Sequence, residues 1–237
     1  MDKLKDFNRD RINVRKLINL TKKEKYFLKN STYCNYLPLQ KKVYNYYGAA
    51  ENAREYLQEK LVGENDDKFI KILIKIINKV GKCYPTKKHI WLSVRVKNPY
   101  IEECVRWHWD GNYYEHNNNN EHSDDELHSK FIATLCGPQT FGINATQSDK
   151  EYYKTLRRQK FAGTITEEEF GQKLADRFNP KKININYSII KVGKNNNSDK
   201  CRQIHSEPVN TVPNIRRVFI SILYGTEEEI STRRVEH

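Results

Sequence analysis

The sequence contains no long apolar run. None of its apolar segments approaches the roughly 20 residues that a membrane-spanning helix needs. The first six residues, MDKLKD, alternate in charge, and no apolar segment of the kind found in a secretory signal peptide follows them. We therefore expect an intracellular protein, in the cytoplasm or the nucleus, that does not bind a membrane.

Cysteines are few and are not arranged in pairs. The five are odd in number and widely spaced, and no two of them form a C-x-x-C motif. This pattern predicts neither a disulfide framework nor a zinc finger, in agreement with an intracellular location. The cysteines are Cys34, Cys83, Cys104, Cys136 and Cys201.

Acidic residues are outnumbered by basic ones. The 42 Lys and Arg exceed the 30 Asp and Glu, which gives a formal net charge of +12. Such a charge attracts polyanions whatever their sequence, so a nucleic-acid partner stays possible beside the plainer interpretation of a solvated basic surface. The 15 Tyr, nine Phe and three Trp argue against disorder, and 237 residues suffice for one domain with a proper core.

Helical patterns dominate the first third of the chain. Residues 2–30 fit one or two amphipathic helices, the second of them capped by Thr21, and residues 40–61 are predicted to form another helix. Apolar residues then recur at helical spacing over 69–80, and this helix is expected to end at Gly81. Residues 1–84 are therefore interpreted as a helical support region.

Short strand patterns follow in residues 85–237. One helical insertion, at about residues 148–178, interrupts them and contains a capping box that begins at Thr166. The layout predicts an α+β fold: a two-sheet jelly roll with N-terminal supporting helices and a helical insertion. The predicted strands cover residues 89–96, 103–109, 128–135, 141–143, 183–192, 201–205 and 218–224.

Candidate metal ligands occur at the end of the second predicted strand. His108 and Asp110 are two residues apart, so both side chains leave the same face of an extended backbone. His205, on the penultimate predicted strand, would complete two imidazoles and one carboxylate, the set that non-haem Fe(II) oxygenases use. The plainer alternative is a half-buried His108 that is hydrogen-bonded to Asp110 without a metal.

Two adjacent arginines open the last predicted strand. Because side chains alternate along a strand, Arg216 and Arg217 point to opposite faces, and one of them could face the candidate ligands. Arg217 is preferred because Ser221 lies four residues further on the same strand face, whereas a β-bulge would favour Arg216. Weaker candidates for the cavity are Arg95, Asn112 and Thr134, and Trp107 and Trp109 are expected to pack rather than to stack on a substrate.

The order His108-x-Asp110, His205, Arg217 resembles the signature of the 2-oxoglutarate/Fe(II)-dependent oxygenases. The resemblance covers about residues 88–225 and implies a double-stranded β-helix. It also implies Fe(II) held by the two histidines and the aspartate, 2-oxoglutarate held by Arg217 or Arg216 together with Ser221, and O₂ as the oxidant. In the implied reaction, 2-oxoglutarate is converted to succinate and CO₂ while an unactivated C–H bond is hydroxylated.

The substrate is less well defined by the sequence. Hydroxylation of a protein or peptide side chain is our first hypothesis. Oxidative demethylation of a nucleic acid is the second, although no stretch clearly supplies an aromatic base pocket. A non-catalytic jelly-roll binding module is the third. The oligomeric state and the role of the N-terminal helices stay open.

Overall fold

The computed structural model describes most of the two predicted regions. The described residues are 14–15, 20–30, 42–61, 66–82, 84–97, 106–108, 130–184, 189–192, 204–207 and 217–235. Within them the chain forms ten strands and six α-helices, and all strand pairs are antiparallel. The predicted α+β class is therefore confirmed. No helix in this part of the chain is both long and apolar enough to cross a membrane.

The larger sheet has six strands in the order β1-β8-β5-β10-β3-β2. Its strands are β1 (Val14–Arg15), β2 (Lys42–Ala49), β3 (His89–Lys97), β5 (Lys130–Cys136), β8 (Ile189–Val192) and β10 (Arg217–Gly225). On β10, Val218, Ile220, Ile222 and Tyr224 belong to the main hydrophobic core. Because side chains alternate along a strand, Arg217 and the odd-numbered residues after it face the opposite side of the sheet.

The smaller sheet has four short strands in the order β4-β9-β6-β7. They are β4 (Arg106–His108), β6 (Phe141–Gly142), β7 (Ile183–Asn184) and β9 (His205–Glu207). Its central strand β9 pairs with β4 on one side and with β6 on the other. The two strands that carry the predicted histidines are therefore direct neighbours.

Three helices in the described N-terminal part of the chain pack on the larger sheet. They are α1 (Lys22–Asn30), α2 (Ala53–Lys60) and α3 (Asp66–Gly81). Apolar side chains of α3 such as Phe69, Leu73 and Ile77 are fully buried in the same core as the even-numbered residues of β10. Thr21 caps α1 as expected, because its hydroxyl accepts a hydrogen bond from the backbone N–H of Glu24.

Helices α4 (Gln147–Phe161) and α5 (Glu167–Phe178) occupy the stretch that was predicted to be a helical insertion. Both helices begin with a capping box, Thr146 with Asp149 and Thr166 with Glu169. The insertion is attached to the smaller sheet through Trp107, whose indole N–H donates to Asn179 Oδ1 at 2.8 Å. This tryptophan is only 2% exposed and packs edge-on against Phe178, so its predicted packing role is confirmed.

Several expectations about secondary structure are wrong. Residues 42–49 form strand β2, which pairs with β3, and of the described part of the predicted 40–61 helix residues 53–60 are α-helical. Residues 14–15, placed in a helical region, form strand β1. The single strand predicted over 183–192 is two strands, β7 and β8, which belong to different sheets. The division of the chain at residue 84 stays a prediction.

Two further features were not expected from the sequence. Helix α6 (Glu227–Val235) follows the last strand and begins with a third capping box, in which Thr226 and Glu229 exchange hydrogen bonds. Cys136, at the end of β5, is disulfide-bonded. The odd number and wide spacing of the cysteines did not indicate this bond, and the other four lie outside the described residues.

Candidate metal and anion site between the sheets

The two predicted histidines face each other across the β4–β9 pair. The strand register sets His108 directly opposite His205. Their ring centroids are 4.3 Å apart and the ring planes are inclined by 53°. His205 is buried and His108 is half-buried. Two imidazoles at this separation can present nitrogen atoms to one small ion.

The ring of His108 is oriented by its own strand. Its Nδ1 lies 3.2 Å from the backbone oxygen of Arg106. A carbonyl oxygen can only accept a hydrogen bond, so Nδ1 is the nitrogen that carries hydrogen in this contact. In the neutral imidazole with this tautomer, Nε2 would carry the lone pair that a metal-ligating histidine requires.

Arg217 is buried at the start of β10, with its guanidinium held by three oxygen acceptors. Its Nη2 donates to Thr140 Oγ1 at 2.7 Å and to Thr134 Oγ1 at 3.4 Å, and its Nε donates to Pro138 O at 3.2 Å. These contacts fix the guanidinium between β10 and the segment that joins β5 to β6. Thr134, a weak candidate from the sequence, is therefore a neighbour of this arginine.

A bulge is present beside Arg217, on the neighbouring strand. Val218 pairs with Cys136 and Phe219 pairs with Thr134, so β5 contains the extra residue, Leu135. The alternation of β10 itself is unchanged, and Arg217 faces the side of the larger sheet opposite the main core, as preferred from the sequence.

A cavity of about 280 Å³ lies between the two sheets and brings these groups together. Four of its lining side chains are cationic, two are the histidines, and among the described lining residues none is acidic. The guanidinium carbons of Arg217 and Arg95 lie 4.7 and 5.9 Å from the centre of the Phe219 ring. The lining residues are Arg95, Arg106, His108, Lys130, Ile132, Thr140, His205, Ser206, Arg217 and Phe219.

The charge of this cavity favours an anionic ligand. Like charges enclosed in a small space raise the local potential, which a dianion of matching size would lower. Arg217 and the two histidines of the predicted ligand set thus line the same space. Arg95, which the sequence analysis held as a weak candidate, is one of its walls.

Ser221 is buried and lies on the same face of β10 as Arg217, four residues further along. It is directly opposite Ser93 on β3 and is not among the residues that line the cavity. Its predicted contact with the co-substrate stays a prediction.

Four predicted residues lie outside the described part of the chain: Asp110, Arg216, Trp109 and Asn112. Among the described residues there is no group of three His, Cys, Asp or Glu side chains that could hold a metal ion. The histidine pair is thus the described part of the predicted triad.

Two cations of the cavity, Arg106 and Lys130, were not predicted from the sequence. Strand alternation could have found both, because Arg106 is two residues before His108 and Lys130 is four before Thr134.

Comparison with known proteins adds no assignment: no family model matches the chain, and no curated protein shows a significant match.

Proposed function

We propose that this protein is an Fe(II)- and 2-oxoglutarate-dependent dioxygenase that hydroxylates a protein or peptide side chain. One observation carries the proposal. Two imidazoles from neighbouring strands face each other with their ring centroids 4.3 Å apart. Both line the cavity that the buried Arg217 also lines.

The strand order supports a double-stranded β-helix for residues 89–225. From β3 to β10, strands β3, β5, β8 and β10 belong to the larger sheet, and β4, β6, β7 and β9 to the smaller. The chain therefore crosses repeatedly between two antiparallel sheets, as in a jelly roll. The candidate site lies between these sheets, as it does in jelly-roll enzymes.

The donor set fits the proposed metal. His108 and His205 would hold Fe(II), and Asp110 is proposed as the third ligand on the basis of its sequence position. Two neutral imidazoles and one carboxylate leave adjacent coordination positions open. The bound ion, together with 2-oxoglutarate and O₂, would supply the oxidation of the substrate C–H bond.

The remaining cavity residues would bind and orient the co-substrate. Arg217 would pair with the carboxylate remote from the metal, and its bonds to Thr140 and Thr134 hold the guanidinium in one orientation. Arg95 and Lys130 would add positive potential that favours a dianion. The buried faces of both sheets restrict the access of water to the reacting groups.

The proposal is tested by measuring succinate released from 2-oxoglutarate. Purified protein with Fe(II) would be screened against separate pools of peptides, oligonucleotides and small molecules. We expect the peptide pool to increase succinate release, and we expect His205→Ala to abolish it. His89→Ala is the matched control, because His89 begins β3 and does not line the cavity.

The pool that stimulates succinate release identifies the class of substrate. Stimulation by oligonucleotides alone would replace the proposed substrate with a nucleic acid. Absence of succinate under all conditions, from protein that binds no Fe(II), would favour the non-catalytic binding module.

A further inference from the structure

A second and larger cavity shares two residues with the candidate site. This groove, of about 940 Å³, lies between strand β4 and the two insertion helices. Arg106 and His108 line both the groove and the cavity between the sheets. A molecule in the groove would therefore lie beside the proposed metal ligand.

One face of α4 forms a wall of the groove. Tyr153, Arg157, Lys160 and Phe161 follow each other at spacings of four, three and one residues, which places them along one side of a helix. The nine residues from Tyr153 to Phe161 span about 12 Å at the rise of an α-helix. About four residues of extended polypeptide cover that distance.

The groove has an apolar floor and an aromatic rim. Trp107, Tyr153 and Phe170 are buried at its base. Phe161, at the end of α4, is 73% exposed, and the guanidinium carbon of Arg157 lies 5.3 Å from its ring centre. A large exposed aromatic side chain beside an arginine is the kind of pair that is enriched at protein interfaces.

The charges of the groove distinguish between classes of ligand. Glu167 and Glu168, at the start of α5, line the same groove, and Lys160 is ion-paired with Glu167. Carboxylates in the wall would repel the closely spaced phosphates of a nucleic acid. Arg106 and Arg157 remain as two separated cationic positions, which suit isolated carboxylates on a polypeptide.

We propose that this groove binds an extended peptide segment in which an acidic residue lies next to an apolar one. The acidic side chain would pair with Arg157 or Arg106, and the apolar side chain would contact Phe161. The further statement that the groove presents this segment to the site at His108 rests on the proposed dioxygenase function.

The test measures peptide binding separately from turnover. The probe is a fluorescein-labelled peptide of about twelve residues in which Glu, Leu and Gly alternate, long enough to exceed the groove. The same peptide with Lys in place of Glu, and an oligo-dT of similar length, are the comparison ligands. Fluorescence anisotropy at about 0.15 M salt, with no iron or 2-oxoglutarate added, limits the contribution of the overall positive charge.

Two charge reversals on neighbouring residues provide the matched variants. Arg157→Glu is expected to weaken binding of the Glu peptide by about tenfold or more, because it reverses a charge inside the groove. Arg158→Glu changes the net charge equally, but Arg158 is exposed and does not line the groove. Its effect should stay within about twofold. Phe161→Ser should also weaken binding, and the circular dichroism spectra of all variants check their folding.

The possible outcomes separate this proposal from the dioxygenase. Tighter binding of the oligo-dT than of the Glu peptide, or equal losses for the two charge reversals, would overturn the groove proposal. Binding that depends on Arg157 but not on Arg158, in a protein that releases no succinate, would support the peptide groove while contradicting the enzymatic function. Succinate release without binding of the Glu peptide would support the enzymatic function and contradict the acidic-peptide groove.

Discussion

His108 and His205 occupy directly opposed positions on β4 and β9, and their ring centroids are 4.3 Å apart. They are separated by almost a hundred residues in the chain, so only the pairing of these two short strands brings them together. Both line a cavity whose cationic wall includes Arg217. The predictions below test the roles of this site and of the packing that supports it.

Replacing Arg217 with Met should selectively weaken binding of 2-oxoglutarate. The substitution removes the guanidinium that we propose pairs with the co-substrate, and a charge-assisted hydrogen bond contributes about 1.5–3 kcal/mol. The KM for 2-oxoglutarate should rise by about 10- to 100-fold, measured by succinate release. Ser221→Ala should raise it less, by about threefold, because a neutral hydroxyl bond contributes about 0.5–1.5 kcal/mol.

The control for Arg217→Met is Arg158→Met, which removes an exposed arginine on α4 outside the cavity. Its KM for 2-oxoglutarate should equal that of the wild-type protein. An unchanged KM in Arg217→Met, in a variant that is folded, would contradict the assignment of this arginine.

The helical insertion should lose stability in acid through Asp149. Its buried carboxylate accepts hydrogen bonds from Arg177 Nε at 2.9 Å, Lys181 Nζ at 2.7 Å and the Thr146 hydroxyl at 2.8 Å. Burial alone would raise the pKa of Asp149. The hydrogen bonds from Lys181, Thr146 and Arg177 outweigh it and hold the pKa well below its usual value of 3.8.

A carboxyl whose pKa is lowered by folding stabilises the protein above its unfolded pKa, and this contribution is lost as the pH falls toward the folded pKa. Asp149→Asn should therefore lower the free energy of unfolding at pH 7 by about 1–3 kcal/mol, and the difference from wild type should narrow below about pH 4. Urea unfolding across this pH range is the measurement. Asp176→Asn, at an exposed position, is the control. A difference in the free energy of unfolding between Asp149→Asn and wild type that does not vary with pH would contradict this role of Asp149.

Gly81→Ala should destabilise the protein although alanine is the better helix former. A Cβ at Gly81 would lie 2.7 Å from Tyr224 Oη and 3.0 Å from Cζ. Tyr224 is buried, donates a hydrogen bond to Ile77 O at 2.9 Å and stacks on Tyr84, so it cannot move without losing contacts. We expect thermal unfolding to show that the free energy of unfolding falls by about 1–3 kcal/mol, as for other overpacked core positions.

The Tyr224→Phe background provides the test of this mechanism. Removing the Tyr224 hydroxyl removes the closest contact. Gly81→Ala should therefore lower the free energy of unfolding less in this background than in the wild-type protein. A Gly81→Ala protein more stable than wild type would mean that helix propensity outweighs the contact.

Local sequence patterns predicted much of the fold. Apolar periodicity placed α3, α4 and α5 and most long strands within a few residues, because each period reflects one buried face. The capping box at Thr166 was recognised, whereas the same Thr-Glu-Glu-Glu run at Thr226 was overlooked and α6 with it. Strand β2 was missed because the alanines at 49, 50 and 53 favour a helix, although Tyr44 and Tyr46 alternate as in a strand.

Three of the predicted site residues, His108, His205 and Arg217, line one cavity, but the geometry that joins them was not predictable. The spacing of His108, Asp110, His205 and Arg217 indicated a chemistry, and strand alternation selected Arg217. The register between β4 and β9 is set by tertiary packing, including the attachment of Trp107 to Asn179 and Phe178. Lys130 and Arg106 were missed although strand alternation relates them to two candidate residues, Thr134 and His108.

The decisive experiment for the proposed iron centre is an anaerobic titration with Fe(II) in the presence of 2-oxoglutarate. We expect a visible metal-to-ligand charge-transfer band in the wild-type protein and in His89→Ala. We expect the band to be lost in His108→Ala, Asp110→Ala and His205→Ala. A flat spectrum for the wild-type protein, or a band that persists unchanged in His205→Ala, would contradict the assignment of this site as an iron centre.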